Sequence, residues 1–353
     1  MKTMNLKNLL ILSVMTAATA ACSKMEFSPA PLEMASSVPG TSVSFSQVVG
    51  YGNKQVDFLI VFDDSNSMLP DLKKLAAGMG DFVGSLENSG IDWQMCMTNT
   101  RAMNSVWGFS ADWVGYSPSG GTPAYLLKKG TPNLTNIFEN TVNALTIGGS
   151  GSADERGLKA TYNHFALAGS NNCYRPGAAL SVIIVSNEDE RSVGGDPSKV
   201  KANDAVGSLI PLEAEDMPEN VLAMAKQKFG SDVRFTFNSI IVKPGDKSCE
   251  AMQDAASASP SHEGVHYEKL SVLTDGGVGS ICDSSFANNL NTFRDKIVNS
   301  MTHMTLQCAP KAGTVQIKVN GSAFTQFTVS GKVLKFNSPL VEGTKIDLAF
   351  DCQ

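Results

Sequence analysis

The sequence predicts an α/β fold: a doubly wound, mostly parallel sheet with helices on both faces, followed by a small C-terminal antiparallel β module. Three observations predict it. Two near-continuous apolar runs, Val56-Asp57-Phe58-Leu59-Ile60-Val61-Phe62 and Leu180-Ser181-Val182-Ile183-Ile184-Val185, have the composition of strands buried on both faces of a parallel sheet. Segments with apolar residues at spacings of three and four, the helical period, lie between and after them. Beyond Cys308 the pattern shortens to strand-length stretches separated by Asn320-Gly321 and Ser330-Gly331, which are tight-turn signals. With 353 residues, 42% of them hydrophobic and 18% charged, the chain has room for both units and enough apolar side chains for a core, which excludes wholesale disorder.

Taken in order, Lys2 and Lys7 precede an apolar run over 9–18, too short to span a bilayer but right for a signal-peptide core, so residues 1–21 read as an export signal. Thr19-Ala20-Ala21-Cys22 resembles a bacterial lipobox, with Thr where Leu is usual. That resemblance implies cleavage before Cys22 and acylation of Cys22; ordinary cleavage after Ala21 is the competing reading. Two or three acyl chains anchor a protein stably, whereas one binds marginally. Ser23 stands where the inner-membrane retention signal of enteric lipoproteins has Asp, which favours the outer membrane, on its periplasmic or its surface-exposed side. Residues 22–52 are rich in Ser, Pro and Gly and read as a flexible linker. No later run approaches the apolar length of a membrane span.

The α/β domain is expected over 53–305. After the first strand, Pro70 suits a first helical turn, and Leu72, Leu75, Ala76, Met79, Phe82, Val83 and Leu86 form one apolar stripe that stops near Asn88-Ser89-Gly90. Strands follow at 91–98, 180–185 and 234–242, and helices at 133–145, 153–168 and 218–229. Phe286, Leu290, Phe293 and Ile297 mark a closing helix. Strands separated by helices imply crossovers within a parallel sheet. In the module at 306–353, strands are expected at 314–320, 323–329, 332–336 and 345–351, around a core too thin to stand without a crosslink or docking.

Of the seven cysteines, six remain once Cys22 is set aside, an even number that suits an oxidising compartment and three disulfides. Cys308 and Cys352 bracket the β module, and Cys249 and Cys282 flank a helix-loop unit. Cys96 with Cys173 is then left by elimination. Zinc is the rival use of these thiols; no C-x-x-C spacing supports it, and the four His, at 164, 262, 266 and 303, are read as scattered rather than as a ligand set.

The chemistry concentrates at the end of the first buried strand. Asp63-Asp64-Ser65-Asn66-Ser67 fits D-x-S-x-S just before a helix, at the carboxyl edge where open α/β sheets bind ligands. Hard divalent ions take about six oxygens, and a site built from few charges and several hydroxyls leaves a position for an incoming carboxylate. A helix cap is the competing use of Ser65 or Ser67. Gly148-Gly149-Ser150-Gly151-Ser152 lacks the Lys of a phosphate loop and the final Gly of a nucleophile elbow.

On these motifs, residues 56 to about 304 resemble a von Willebrand factor A domain with a metal-ion-dependent adhesion site, in particular its secreted or lipid-anchored bacterial versions. The resemblance implies Mg²⁺, or Mn²⁺ or Ca²⁺ in its place, held by the D-x-S-x-S loop, by a Thr before the third helix and by an Asp at the end of the fourth strand. Gly151-Ser152-Ala153-Asp154-Glu155-Arg156-Gly157-Leu158 places Ser152 at the Thr position, with Ser150 as a neighbouring alternative. Ser186-Asn187-Glu188-Asp189-Glu190 places Asn187 where the family has Asp, with Asp189, Glu188 or Asp64 available to restore the charge. The implied metal set is Asp63, Ser65, Ser67, Ser152, Asn187 and Asp189.

The function that follows is binding rather than catalysis. An exported, lipid-anchored protein would capture an acidic side chain of a partner protein, with residues 107–116 as a further contact surface. The formal charge of −6 excludes a broad nucleic-acid-binding face. Two alternatives stay open: an envelope scaffolding component with a degenerate metal site, and a hydrolase using a metal-activated water.

Overall fold

The computed structural model describes residues 42–48, 54–88, 90–102, 106–146, 154–169, 172–192, 212–230, 233–256, 261–306, 308–338, 340–341 and 343–353. Residues 1–21, Cys22 and Ser152 lie outside the described residues.

The described residues begin with β1 (Ser42–Val48) and enter the α/β domain at β2 (Gln55–Phe62). A 3₁₀ turn over Asn66–Met68 leads into α1 (Leu69–Asn88), β3 (Asp92–Asn99), the two-residue β4 (Leu127–Lys128), α2 (Leu134–Thr146), α3 (Gly157–Ala166) and β5 (Ala179–Val185). The domain continues through α4 (Pro218–Phe229), β6 (Phe235–Ile241), α5 (Lys247–Ala256), α6 (Val265–Leu273), β7 (Val278–Ser280) and α7 (Ala287–Ser300). The sheet order is β4-β3-β2-β5-β6-β7, all parallel except β4, which pairs antiparallel with β3.

Period-two alternation decides which face each strand residue serves. Phe58, Ile60 and Phe62 of β2 join Trp93, Met95 and Met97 of β3 under α1, α2 and α7. Leu59 and Val61 face the opposite way, with Leu180, Val182 and Ile184 of β5, against α3, α4 and α6. Both faces are covered, which is why β5 is buried at every position and reads as a continuous apolar run. All seven stripe residues of α1 are buried. The chain leaves β2 towards β3 on one side and returns to β5 on the other, so the strand order reverses at β2 and opens a crevice at the carboxyl ends of β2 and β5.

The C-terminal module is built from β8 (His303–Thr305), β9 (Gln316–Val319), β10 (Ser322–Phe324), β11 (Phe327–Ser330), β12 (Val333–Phe336) and β13 (Lys345–Asp351). It forms two antiparallel sheets around a separate small core that includes Ile317, Leu334, Phe336, Ile346, Leu348 and Phe350. The strand expected over 323–329 divides between β10 and β11, which belong to different sheets. The linker reading of residues 22–52 is corrected in part. Ser42–Val48 pairs residue for residue with β13, from Ser42 opposite Asp351 to Val48 opposite Lys345, and the alternation Ser-Val-Ser-Phe-Ser is a strand signal within the polar composition.

All three disulfides join the expected partners, Cys96–Cys173, Cys249–Cys282 and Cys308–Cys352. Three such crosslinks are the usage of a protein that folds in an oxidising, extracytoplasmic compartment. Among the described residues no helix is long and apolar enough to cross a membrane.

Candidate functional site

Asp63 follows directly on β2 and is fully buried. Its Oδ1 accepts the Ser65 N–H at 3.0 Å, and its Oδ2 accepts the Ser186 hydroxyl at 2.6 Å from the end of β5. The Ser65 and Ser67 hydroxyls lie 3.0 Å apart at the entry to α1 and share a hydrogen bond; Ser65 precedes the 3₁₀ turn without a side-chain cap hydrogen bond. The loop thus brings one carboxylate and two hydroxyls to a single edge. Burial, only partly offset by the Ser186 and Ser65 hydrogen bonds, pushes the Asp63 carboxyl up to about 6, with Glu188 adding repulsion.

Asn187 enters from β5. Its N–H points at Met68 Sδ at 3.2 Å, and its Nδ2 donates to Gln253 Oε1 of α5 at 3.4 Å, which fixes the residue across the crevice from the Asp63 loop. Asn187 Oδ1 is buried and has no hydrogen-bond partner among the described residues. The same holds for Asp64 Oδ1, Asn99 Oδ1 and Thr100 Oγ1 at the ends of β2 and β3. Asp64 is otherwise held by Arg101 Nε at 2.5 Å and by Asn99 Nδ2 at 3.2 Å. Buried acceptor oxygens without donors are the kind of atom a hard cation would satisfy. Among the described residues no group of three or more His, Cys, Asp or Glu side chains is placed to hold a metal, so a cation at this edge would have to rest largely on hydroxyl and amide oxygens beside Asp63, with Asp64 already paired to Arg101. The residues present fit a weakly charged site.

Asp189 has a different employment from the one expected. Its Oδ1 accepts the His266 backbone N–H at 2.9 Å and its Oδ2 lies 2.8 Å from His266 Nδ1, so both oxygens are committed to the first turn of α6. Glu188 is buried, with Oε2 3.3 Å from His262 Nδ1. Glu190 accepts the Leu158 and Lys159 amides at 2.7 and 3.1 Å, capping the start of α3, and burial beside Asp216 holds its carboxyl well above the usual range. That helix packs close to β5 because it begins with glycine: a Cβ on Gly157 would stand 2.3 Å from Ile184 Cδ1.

Two features passed unseen at the sequence level. Ser186 ties β5 to Asp63, and its signal was a hydroxyl immediately after a fully apolar strand. His262-Glu263-Gly264-Val265-His266 has the H-E-x-x-H spacing, whose metal-binding form needs both imidazoles on one helical face. Here α6 starts at Val265, so only His266 is helical, and Glu263 pairs with Lys247 at 2.7 Å. Within the surface expected at 107–116, Phe109 and Val114 are exposed. Trp113 is 1% exposed and packs edge-on against Phe62 and Phe138 in the core, while Trp107 lies under the Arg156 guanidinium at 5.0 Å.

No family model matches the chain, and no curated protein matches it in sequence. Among solved structures it is similar to the pilus adhesin SpaC of Lactobacillus rhamnosus GG in its open conformation, with 13% identity and a TM-score of 0.37 over 88% of this chain and 41% of the adhesin. It is similar to the human COPII-coat protein Sec24c, with 11% identity and a TM-score of 0.37 over 88% of this chain and 42% of that one. A conserved hypothetical protein, BatB from Bacteroides thetaiotaomicron, shows 13% identity and a TM-score of 0.36 over 69% of this chain and 96% of its own. The chain spans less than half the length of the first two. What fold and edge together define is a doubly wound α/β domain with an oxygen-rich crevice at the strand carboxyl ends.

Proposed function

We infer that this is a von Willebrand factor A-like binding module, in which a divalent cation held at the β2–β5 edge captures an acidic side chain of a partner protein. The observation that carries the reading is that the buried Asp63 carboxylate, tied to Ser186, lies in the same loop as the half-buried Ser65–Ser67 hydroxyl pair and as Met68, which meets the Asn187 N–H, while Asn187 Oδ1 is buried with no donor among the described residues. Bound there, Mg²⁺ or Mn²⁺ would supply a coordination position for a carboxylate from outside. The protein's part is positional: Ser186 and the Ser65 amide orient the Asp63 carboxylate, and Met68 and Gln253 hold Asn187 opposite it. Asp189 serves by fixing His266 rather than as a ligand. Ser152 would complete the set from the segment preceding α3. The reading needs no turnover. The signal-like residues 1–21 and Cys22 support export and anchoring by lipid, to the outer membrane.

The test is calorimetric titration of Mg²⁺ and Mn²⁺ into the chain from Ser23, beside Asp63→Ala. Saturable binding that the variant loses is the expected result. A flat titration with a folded, disulfide-bonded protein refutes the metal reading and leaves metal-independent scaffolding as the function.

A further inference from the structure

The loop 115–122, β4 and the first turns of α2 enclose an open cleft of about 710 Å³. It lies away from the metal edge. Lys128 pairs with Gln94 and the Lys129 N–H bonds to Trp93 O, both near the start of β3, whereas Asp64 meets Asn99 at the far end of that strand. Its volume is that of small-ligand sites, which run from about 300 to 1,000 Å³.

The walls are preformed. Trp113 anchors the loop by packing on Phe138 of α2 at 5.0 Å and by donating from Nε1 to Tyr125 O at 3.0 Å. The Val114 N–H donates to Thr141 Oγ1 of α2 at 2.9 Å. Gly115, at φ +81°, lets the loop approach so closely that a Cβ there would stand 3.0 Å from the Asn140 amide nitrogen.

The lining has a definite chemistry. In a chain with more acidic than basic residues, no Asp or Glu lines this cleft, while Lys128 does. The first turn of α2, which opens onto it, also has no acidic residue, so the amino end of a 13-residue helix faces the cleft without a carboxylate to neutralise it. Tyr116 lines the cleft half-buried, packed in part against the core, and brings an aromatic body with a polar tip. Asn136 and Asn140, one turn apart on α2, present amides that both donate and accept, the complement of a row of hydroxyls, each of which does the same. Lys128 Nζ and the side chains of Tyr116, Asn136 and Asn140 make no hydrogen bond or ion pair among the described residues.

We propose that this cleft binds an acidic oligosaccharide, with Tyr116 under a sugar ring, Asn136 and Asn140 on its hydroxyls, and Lys128 with the amino end of α2 at its carboxylate. Inorganic phosphate would satisfy the positive end alone and leave the aromatic and amide groups unused. An acidic peptide would offer few hydroxyls to the two amides.

The test uses the chain from Ser23 with intact disulfides, and four probes followed by saturation-transfer NMR and calorimetry: tri-galacturonate, neutral galactotriose, inorganic phosphate and a tri-glutamate peptide. The proposal expects saturable tri-galacturonate binding that is unchanged by EDTA. Galactotriose and the Lys128→Gln variant should each be weaker by about tenfold or more, the loss of one charge-assisted contact. Tyr116→Ala and Asn136→Ala, checked by thermal unfolding to be folded, should each abolish it. Failure of tri-galacturonate to bind, equal or stronger binding of galactotriose, phosphate or the peptide, or binding that survives both alanine variants overturns the proposal.

Discussion

His164 sets a pH limit on this fold. It lies in α3 with no exposed surface, its Nε2 2.9 Å from Ser110 Oγ and its Nδ1 2.5 Å from the Tyr174 hydroxyl, with the Tyr174 ring edge-on at 5.3 Å. Burial lowers its pKa from 6.5 to about 3, with no carboxylate beside it to oppose the shift. Between those values the unfolded chain carries a proton that the native ring does not, so stability declines as pH falls through 6.5 and goes on declining to about 3. At 1.36 kcal/mol per unit the full loss is about 5 kcal/mol, comparable with the whole stability of many domains. Asp57 and Asp63, both raised to about 6 by burial, act in the opposite sense over pH 6 to 4, so the wild-type profile alone does not isolate His164. The difference between wild type and His164→Gln does. The variant keeps an amide for one hydroxyl and is expected to be less stable at pH 7.5 by about 1–3 kcal/mol. The gap should then close by about 2 kcal/mol between pH 6.5 and 5.0. Urea unfolding at four pH values, followed by fluorescence of the buried Trp93 and Trp113 with disulfides intact, measures it. Parallel profiles, with the same gap at pH 7.5 and 5.0, refute the assignment of a buried neutral imidazole.

Two further outcomes follow from the packing. Arg156, 3% exposed, donates from Nε and Nη2 to both oxygens of the fully buried Asp216 at 2.7 and 2.6 Å; Arg156→Ala leaves that carboxylate uncompensated beside Glu190 and should cost about 3–5 kcal/mol in urea unfolding, much of it recovered by adding Asp216→Leu. Replacing Cys308 and Cys352 by Ser opens a crosslink spanning 44 residues and should destabilise the C-terminal module by about 4 kcal/mol in the loop-entropy account, read as faster amide exchange in β9 and β13 while β2 and β5 stay protected.

The parts of the fold legible in the sequence are those where one local signal and the tertiary context agree. The two apolar runs became β2 and β5 because burial on both faces removes any need for polar alternation. The α4 helix runs Pro218–Phe229 as read, because Pro pre-sets its first turn and Gly230 ends it. Elements held by neighbours rather than by propensity were not legible. The two residues of β4 and the three of β7 are shorter than any periodicity can mark, and β1 lies in a Ser- and Pro-rich tract whose strand character is realised by β13, some 300 residues later. At the site, D-x-S-x-S could be picked out because its carboxylate and hydroxyls are contiguous in sequence. What the sequence did not show was who neutralises whom. Asp189 looked free for a metal because His266, which takes both its oxygens, lies 77 residues further on.

That pairing gives a physical reason for Asn187. Five acidic residues crowd this edge. Arg101 faces Asp64, His262 faces Glu188, His266 faces Asp189, and the first amides of α3 cap Glu190. Asp63 is held by the Ser186 and Ser65 hydroxyls and the Ser65 amide, none of them cationic, and already suffers repulsion from Glu188. A carboxylate at position 187 would place a second buried charge without a cationic partner across the crevice, and the low local dielectric makes such a charge expensive until a cation arrives. The amide keeps an acceptor oxygen at the same place while sparing the metal-free fold that cost. On the proposed reading such a site would give up affinity for the cation and keep its shape without it, so occupancy would follow the local concentration of divalent ions rather than being locked in at folding.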